Sequence, residues 1–194
     1  MGDLELCALG NKLTREGKLT EAISAYRQAI EIDPNITFFH CALGDALLEQ
    51  GNHDKAIVSY RQALHLDPSL VLTHANLGNA LAGKGELDEA VAAYRRAISI
   101  NPALAEIHLN LGSALAQQFK LDEAVAAYRY AISIEPNYAE AYRRLGNVLV
   151  LQCKLDQAIA AYCKAIDINS DHSVFSRART HKLRAVSAFG RTGH

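Results

Sequence analysis

The chain has 194 residues, with 20 Lys and Arg against 21 Asp and Glu, 49% hydrophobic residues and a net charge of −1. Such a composition folds rather than staying disordered, and near-neutral charge argues against a dedicated nucleic-acid binder, which carries a basic excess. No apolar run approaches the roughly 18 residues that a membrane span needs. Met1-Gly2-Asp3-Leu4-Glu5 lacks the basic and apolar regions of a secretory signal, and Leu6 stands where N-myristoylation wants Ser or Thr. Cys7, Cys41, Cys153 and Cys163 form no C-x-x-C pair and read as structural thiols. These features predict a cytoplasmic protein without cofactor.

From its first residues the chain repeats. Gly10, Gly44, Gly78, Gly112 and Gly146 are each 34 apart, as are Tyr26, Tyr60, Tyr94, Tyr128 and Tyr162. The same step separates Pro34, Pro68, Pro102 and Pro136, and two alanine registers, one running from Ala22 to Ala158 and one from Ala29 to Ala165. Leu87–Arg95 and Leu121–Arg129 are identical. A fixed period of this length marks a stacked array. Five units fit, at 3–36, 37–70, 71–104, 105–138 and 139–172, followed by a segment at 173–194.

Within each unit the apolar residues recur at threes and fours, which predicts helices and no strands. In the third unit Leu77 and Leu81 belong to one helix and Leu87, Val91, Tyr94 and Ile98 to a second, broken at Gly83-Lys84-Gly85. Gly17, Gly51 and Gly85 stand at the turn, where a left-handed residue ends a helix; Phe119 and Cys153 take that place in the last two units. Thr20, Asp54, Asp88, Asp122 and Asp156 are predicted to cap the second helices, and each Pro stops a helix from continuing. A Gly on one helix and two Ala on the other allow close approach, with the Tyr filling the space beside them. The fold class is therefore all-α, a solenoid whose first helices line an inner groove and whose second helices form an outer wall.

Three apparent chemical motifs dissolve into this register. Gly78–Lys84 matches most of a phosphate-binding loop, but Gly85 replaces the Ser or Thr and the stretch ends a helix instead of following a strand. His40, His74 and His108 lie on successive first helices, roughly 8–10 Å apart, too far to share an ion with Zn–N bonds of about 2.0–2.1 Å. They are expected to pack with one polar edge satisfied. No G-x-S-x-G elbow accompanies the Ser, His and Asp residues, so neither a metal nor a catalytic site is expected.

The registers resemble the tetratricopeptide repeat (TPR) family, through Leu9-Gly10, Leu43-Gly44, Leu77-Gly78, Leu111-Gly112 and Leu145-Gly146, then the Ala, Tyr, Ala and Pro positions. Leu6, His40, His74, His108 and Tyr142 depart from the family's early Trp-like place, and Ser170 from its Pro. The resemblance implies a right-handed superhelical solenoid that binds other proteins or peptides. It also implies that the second, fifth, sixth, ninth, twelfth and thirteenth places of each unit face the groove. Asn76, Asn79, Asn110, Ser113 and Asn147 then form a polar ladder for a peptide backbone, similar to the asparagine ladder of O-linked N-acetylglucosamine transferases. Arg143 and Arg144, tempered by Glu106 and Glu140, would hold an acidic group. Leu4, Cys7, Phe38, Cys41, Leu48 and Leu72 make the first half apolar, with Leu4, Phe38 and Leu72 as side-chain anchors. The carboxylate clamp of co-chaperone TPR domains is matched at Asn79, Asn110 and Arg144, but Ala75 and Glu140 replace its lysines.

The segment 173–194 carries +5 against −6 for the rest of the chain, and its apolar spacing predicts a basic capping helix and tail. The first unit starts almost at Met1 with no cap before it, which points to a piece of a longer protein. The leading expectation is a non-catalytic interaction scaffold for a protein or peptide ligand. One alternative is the substrate-recruiting arm of a larger enzyme such as a glycosyltransferase. Another is a structural scaffold that self-associates as a homo-oligomer through its apolar first half.

Overall fold

The computed structural model describes residues 2–170, which are helical with no strand among them. The segment 173–194, with its expected cap, lies outside the described residues. The helices are α1 (Asp3–Arg15), α2 (Leu19–Ile32), α3 (Thr37–Glu49), α4 (His53–Leu66), α5 (Val71–Lys84), α6 (Leu87–Ile100), α7 (Ala105–Gln117), α8 (Leu121–Ile134) and α9 (Ala139–Leu151). Residues 155–170 form α10. Each odd-numbered helix packs on the even one after it, and successive pairs stack in chain order. Odd helices also touch one another directly, α1 on α3 through α7 on α9, so they make the inner layer. Among the described residues no helix is long and apolar enough to cross a membrane.

The repeated Gly and Tyr form the joint within each pair. A Cβ on Gly10, Gly44, Gly78, Gly112 or Gly146 would stand 2.5 to 2.7 Å from Cε1 of Tyr26, Tyr60, Tyr94, Tyr128 or Tyr162 respectively. That distance is far inside van der Waals contact, so any larger residue would force the helices apart. The alanines at Ala22, Ala56, Ala90 and Ala124 are wholly buried in the same joint.

His40, His74 and His108 each donate from Nε2 to the carbonyl of the Pro six residues earlier, at 2.8, 3.0 and 2.9 Å. Their polar edge is satisfied by the preceding loop, as expected. The phosphate-loop-like stretch 78–84 is continuous helix in α5.

The expected caps are a correction. The second helices start two residues earlier, with Lys18, Asn52, Glu86 and Lys120 at the N-cap. Only Asn52 of these places a side chain on a free backbone N–H, accepting from Lys55 at 3.4 Å. Thr20, Asp54, Asp88 and Asp122 are the second helical residues, and Asp156 holds the same place in 155–170. They turn instead toward the next pair. Gln50 donates to Thr20 at 3.4 Å, Lys84 pairs with Asp54 at 2.8 Å, and Gln118 and Gln152 donate to Asp88 and Asp122 at 2.9 and 2.8 Å. An acid in the first turn also meets the positive end of the helix dipole, which serves the helix without capping it.

The turns before these helices all pass through the left-handed region. Gly17, Gly51 and Gly85 have φ of 74°, 79° and 88°, and Phe119 and Cys153 adopt 59° and 58° in their place. On the outer wall a further ladder joins the even helices: Arg61 pairs with Glu89 at 2.7 Å, Arg95 with Glu123 at 2.8 Å, and Arg129 donates to Gln157 at 3.3 Å.

Candidate peptide-binding groove

The inner layer brings the ladder residues together, but it ties much of their polarity inward. In every pair the Tyr hydroxyl reaches the ninth-place residue. Tyr26, Tyr60, Tyr94 and Tyr162 donate to Asn11, Asp45, Asn79 and Asn147 at 2.7 to 2.8 Å, and Tyr128 donates to Ser113 at 3.3 Å. Burial pushes the Tyr60 and Tyr94 phenols well above their ordinary value, with the Asp45 carboxylate adding at Tyr60. These hydroxyls stay neutral donors.

A second bond crosses between pairs. The sixth-place residue of one pair donates to the ninth-place residue of the pair before it, 31 positions earlier. Asn76 donates to Asp45 at 2.9 Å, Asn110 to Asn79 at 3.2 Å, and the Arg144 guanidinium to Ser113. Asn79 Oδ1 therefore accepts from both Tyr94 and Asn110. An amide oxygen has two lone pairs, so its acceptor side is filled. The same accounting leaves the Asn79 NH₂ and the Asn76 and Asn110 oxygens unpartnered among the described residues. Asp45 is a member of this network that the sequence reading left out of the candidate site. Its signal was the ninth-place register itself, since it stands one unit before Asn79.

At the far end Arg143 and Arg144 converge on one carboxylate. Arg143 grips Glu140 with two bonds of 2.6 and 2.7 Å, and Arg144 adds a third at 2.7 Å. The Arg143 bonds, followed by those of Arg144, hold the Glu140 carboxyl down to about 2. The two guanidiniums therefore face a carboxylate of the chain itself, and a ligand acid at this end competes with Glu140.

The first half of the groove is different. Leu4, Phe38 and Leu72, at the second place of three consecutive pairs, are 69%, 56% and 67% exposed. Beside Phe38 opens a pocket of about 350 Å³ between α1, α2 and α3, with Asn11, Tyr26, Cys41 and Asp45 in its wall. Other apolar positions do not reach the surface as expected. Cys7, Ala75 and Leu109, at the fifth place, are buried between pairs, and Leu48 is half-buried. Burial is the largest influence raising the Cys7 and Cys41 thiols above their ordinary value. Cys41 Sγ lies 3.3 Å from the Thr73 hydroxyl, in keeping with a structural thiol.

Comparison with known proteins follows the same repeat. Family models described as TPR repeat match residues 10–51, 44–85, 78–118 and 120–152, and one described as tetratricopeptide repeat matches 139–172. No match was found among curated proteins. Among solved structures, a crystal structure of MamA superposes with a TM-score of 0.82 at 28% identity, covering 84% of this chain and 96% of that one. MamA from Desulfovibrio magneticus RS-1 gives 0.83 at 18% identity, covering 87% and 96%. YrrB, described as a TPR protein with an unusual peptide-binding site, gives 0.74 at 23% identity and covers 90% of each chain. Arrays of this architecture are interaction scaffolds that use extended concave surfaces. With the Gly–Tyr joint present in all five pairs and family matches running through them, the chain belongs to the tetratricopeptide repeat family.

Proposed function

We propose that the chain is a non-catalytic protein-interaction scaffold that holds an extended peptide or a partner helix in its concave groove. The observation that carries this reading is the line of Leu4, Phe38 and Leu72, three large apolar side chains left in solvent at one register of consecutive pairs. Large apolar side chains exposed at one repeated register are the kind of surface that an interaction site presents, and the 34-residue step sets the three on one path along the inner layer. Asn76, Asn79, Asn110, Ser113 and Asn147 continue that path. Their internal bonds fix each amide, so the groups left over meet a ligand already oriented, which lowers the ordering cost of binding. Arg143 and Arg144 receive an acidic ligand group by exchange with Glu140.

The test is capture of partners from a lysate by the chain, by a Leu4→Ser, Phe38→Ser, Leu72→Ser triple variant and by an Asn79→Ala, Asn110→Ala double variant. Bound proteins are identified by mass spectrometry, and folding of each variant is checked by circular dichroism. Loss of the same partners from both folded variants is the expected result. Retention of all partners by the folded triple variant would move binding away from the groove.

A further inference from the structure

The outer wall holds a feature that the groove does not explain. Its ladder of Arg61–Glu89, Arg95–Glu123 and Arg129–Gln157 breaks at the first junction, where the same 28-residue step sets Arg27 against Lys55. Two further positions change with it. Thr20 stands where the later pairs have Asp54, Asp88 and Asp122, and Ser24 stands where they have Val58, Ala92 and Ala126. Thr20, Ser24, Arg27, Gln50, Asn52 and Lys55 line one open pocket of about 280 Å³ between α2, the end of α3 and the start of α4. Every acid found at this register elsewhere is replaced by a hydroxyl, an amide or a cation.

The two cations in the pocket are uncommitted, while the Gln50 amide already donates to Thr20. Among the described residues no carboxylate pairs with Arg27 or Lys55, and Asp54, next to Lys55 in the chain, is held by Lys84 at 2.8 Å. The Thr20 hydroxyl oxygen accepts from Gln50 at 3.4 Å, which leaves its own proton to donate. The pocket also takes in the first turn of the 14-residue helix α4, where the Asn52 side chain caps the Lys55 N–H and the helix dipole favours negative charge.

We infer that this junction is a phosphoryl-binding site. At the second and third junctions one arginine balances one carboxylate. Two cations with hydroxyl and amide donors, and no acid, match a group that carries close to two negative charges and several acceptor oxygens. A phosphorylated side chain of a partner peptide and free phosphate share this chemistry. The inference stands apart from the groove, because it involves the other face of the array and none of the groove residues.

The experiment uses the full chain, isotope-labelled, in amide-resolved NMR titrations. The probes are inorganic phosphate, a short phosphoserine peptide, its unphosphorylated form and its glutamate form. Shifts confined to residues 20–27 and 50–55 are expected with phosphate and with the phosphopeptide. Tighter binding of the phosphopeptide assigns a peptide source, and equal binding assigns free phosphate. Lys55→Glu supplies the carboxylate that Glu89 and Glu123 provide at the second and third junctions, so it is expected to fold as well as the parent and to bind at least about tenfold more weakly. The inference is overturned if the shifts fall elsewhere, if Lys55→Glu binds equally, or if the glutamate or unphosphorylated peptide binds as tightly as the phosphopeptide.

Discussion

Leu4, Phe38 and Leu72 line the first half of the groove with more than half of each side chain in solvent, whereas Arg143 and Arg144 at its far end are closed onto Glu140 and Ser113. The difference teaches that charge in a groove is a poorer guide to a binding site than surface left without a partner. The polar end has turned part of its donor set onto its own carboxylate, and among the described residues nothing covers the apolar side chains. The ladder lies between these extremes, with the Asn79 acceptor filled while the Asn79 NH₂ and the Asn76 and Asn110 oxygens stay open among the described residues.

Substitutions can sharpen or break this contrast. The largest effect is expected from Tyr94→Ala, which removes a buried ring from beneath the ladder and takes one donor from Asn79. Urea denaturation followed by circular dichroism should show a loss of about 3–5 kcal/mol. Asn79→Ala comes next, because it strands the Tyr94 hydroxyl and the Asn110 amide, at about 1–3 kcal/mol. If Asn79→Ala left stability unchanged, the ladder would be a solvated surface and not a seam between pairs.

Glu140 gives a smaller and pH-dependent effect. Its carboxyl titrates at about 2 in the folded chain against an ordinary 4.5. Because the folded value is depressed, its contribution is fully present above about 4.5 and is lost as pH falls toward 2. A third of the side chain is in solvent, so the contribution after screening is under about 1 kcal/mol. Glu140→Gln should remove this increment from the difference in stability between pH 6 and pH 3, while leaving Arg143 and Arg144 open to a ligand acid. The smallest effect on stability belongs to Leu4→Ser, Phe38→Ser and Leu72→Ser, each expected within about 0.5 kcal/mol of the parent. A cost near that of Asn79→Ala would show that these residues serve the fold, and the contrast between the two halves would fail.

The repeat, its two helices per unit and the Gly–Tyr joint were legible in the sequence because each follows from one register compared with itself. That the ring histidines pack with a polar edge satisfied was legible for the same reason, but their partner, the carbonyl of the preceding Pro, was not. The second-helix starts were misread because an Asp two residues past a helix cap looks like an Asp at the cap. Only the cross-pair bonds to Gln50, Lys84, Gln118 and Gln152 reveal the difference. The doubly used Oδ1 atoms of Asn79 and Asp45 were equally hidden. A bond spanning 31 residues depends on how far one pair is displaced along the stack, a three-dimensional quantity that spacing does not contain. Glu140, three and four residues before its arginines, was visible as a neighbour on one helix face, but its twofold grip on Arg143 was not.

The five hairpin turns are alike in shape and unlike in cost. Three are made by glycine, for which a left-handed backbone is free of steric penalty, while Phe119 and Cys153 hold the same conformation with a side chain attached, at roughly 1–2 kcal/mol each. In a stack whose stability is close to a sum of local terms, that difference tilts the array. The later hairpins sit higher in energy than the earlier ones, so local opening should start among them and amide protons there should exchange soonest. The half of the groove that carries Leu4 and Phe38 is then the rigid end of the molecule, and the half that carries Arg143 and Arg144 is the end that breathes.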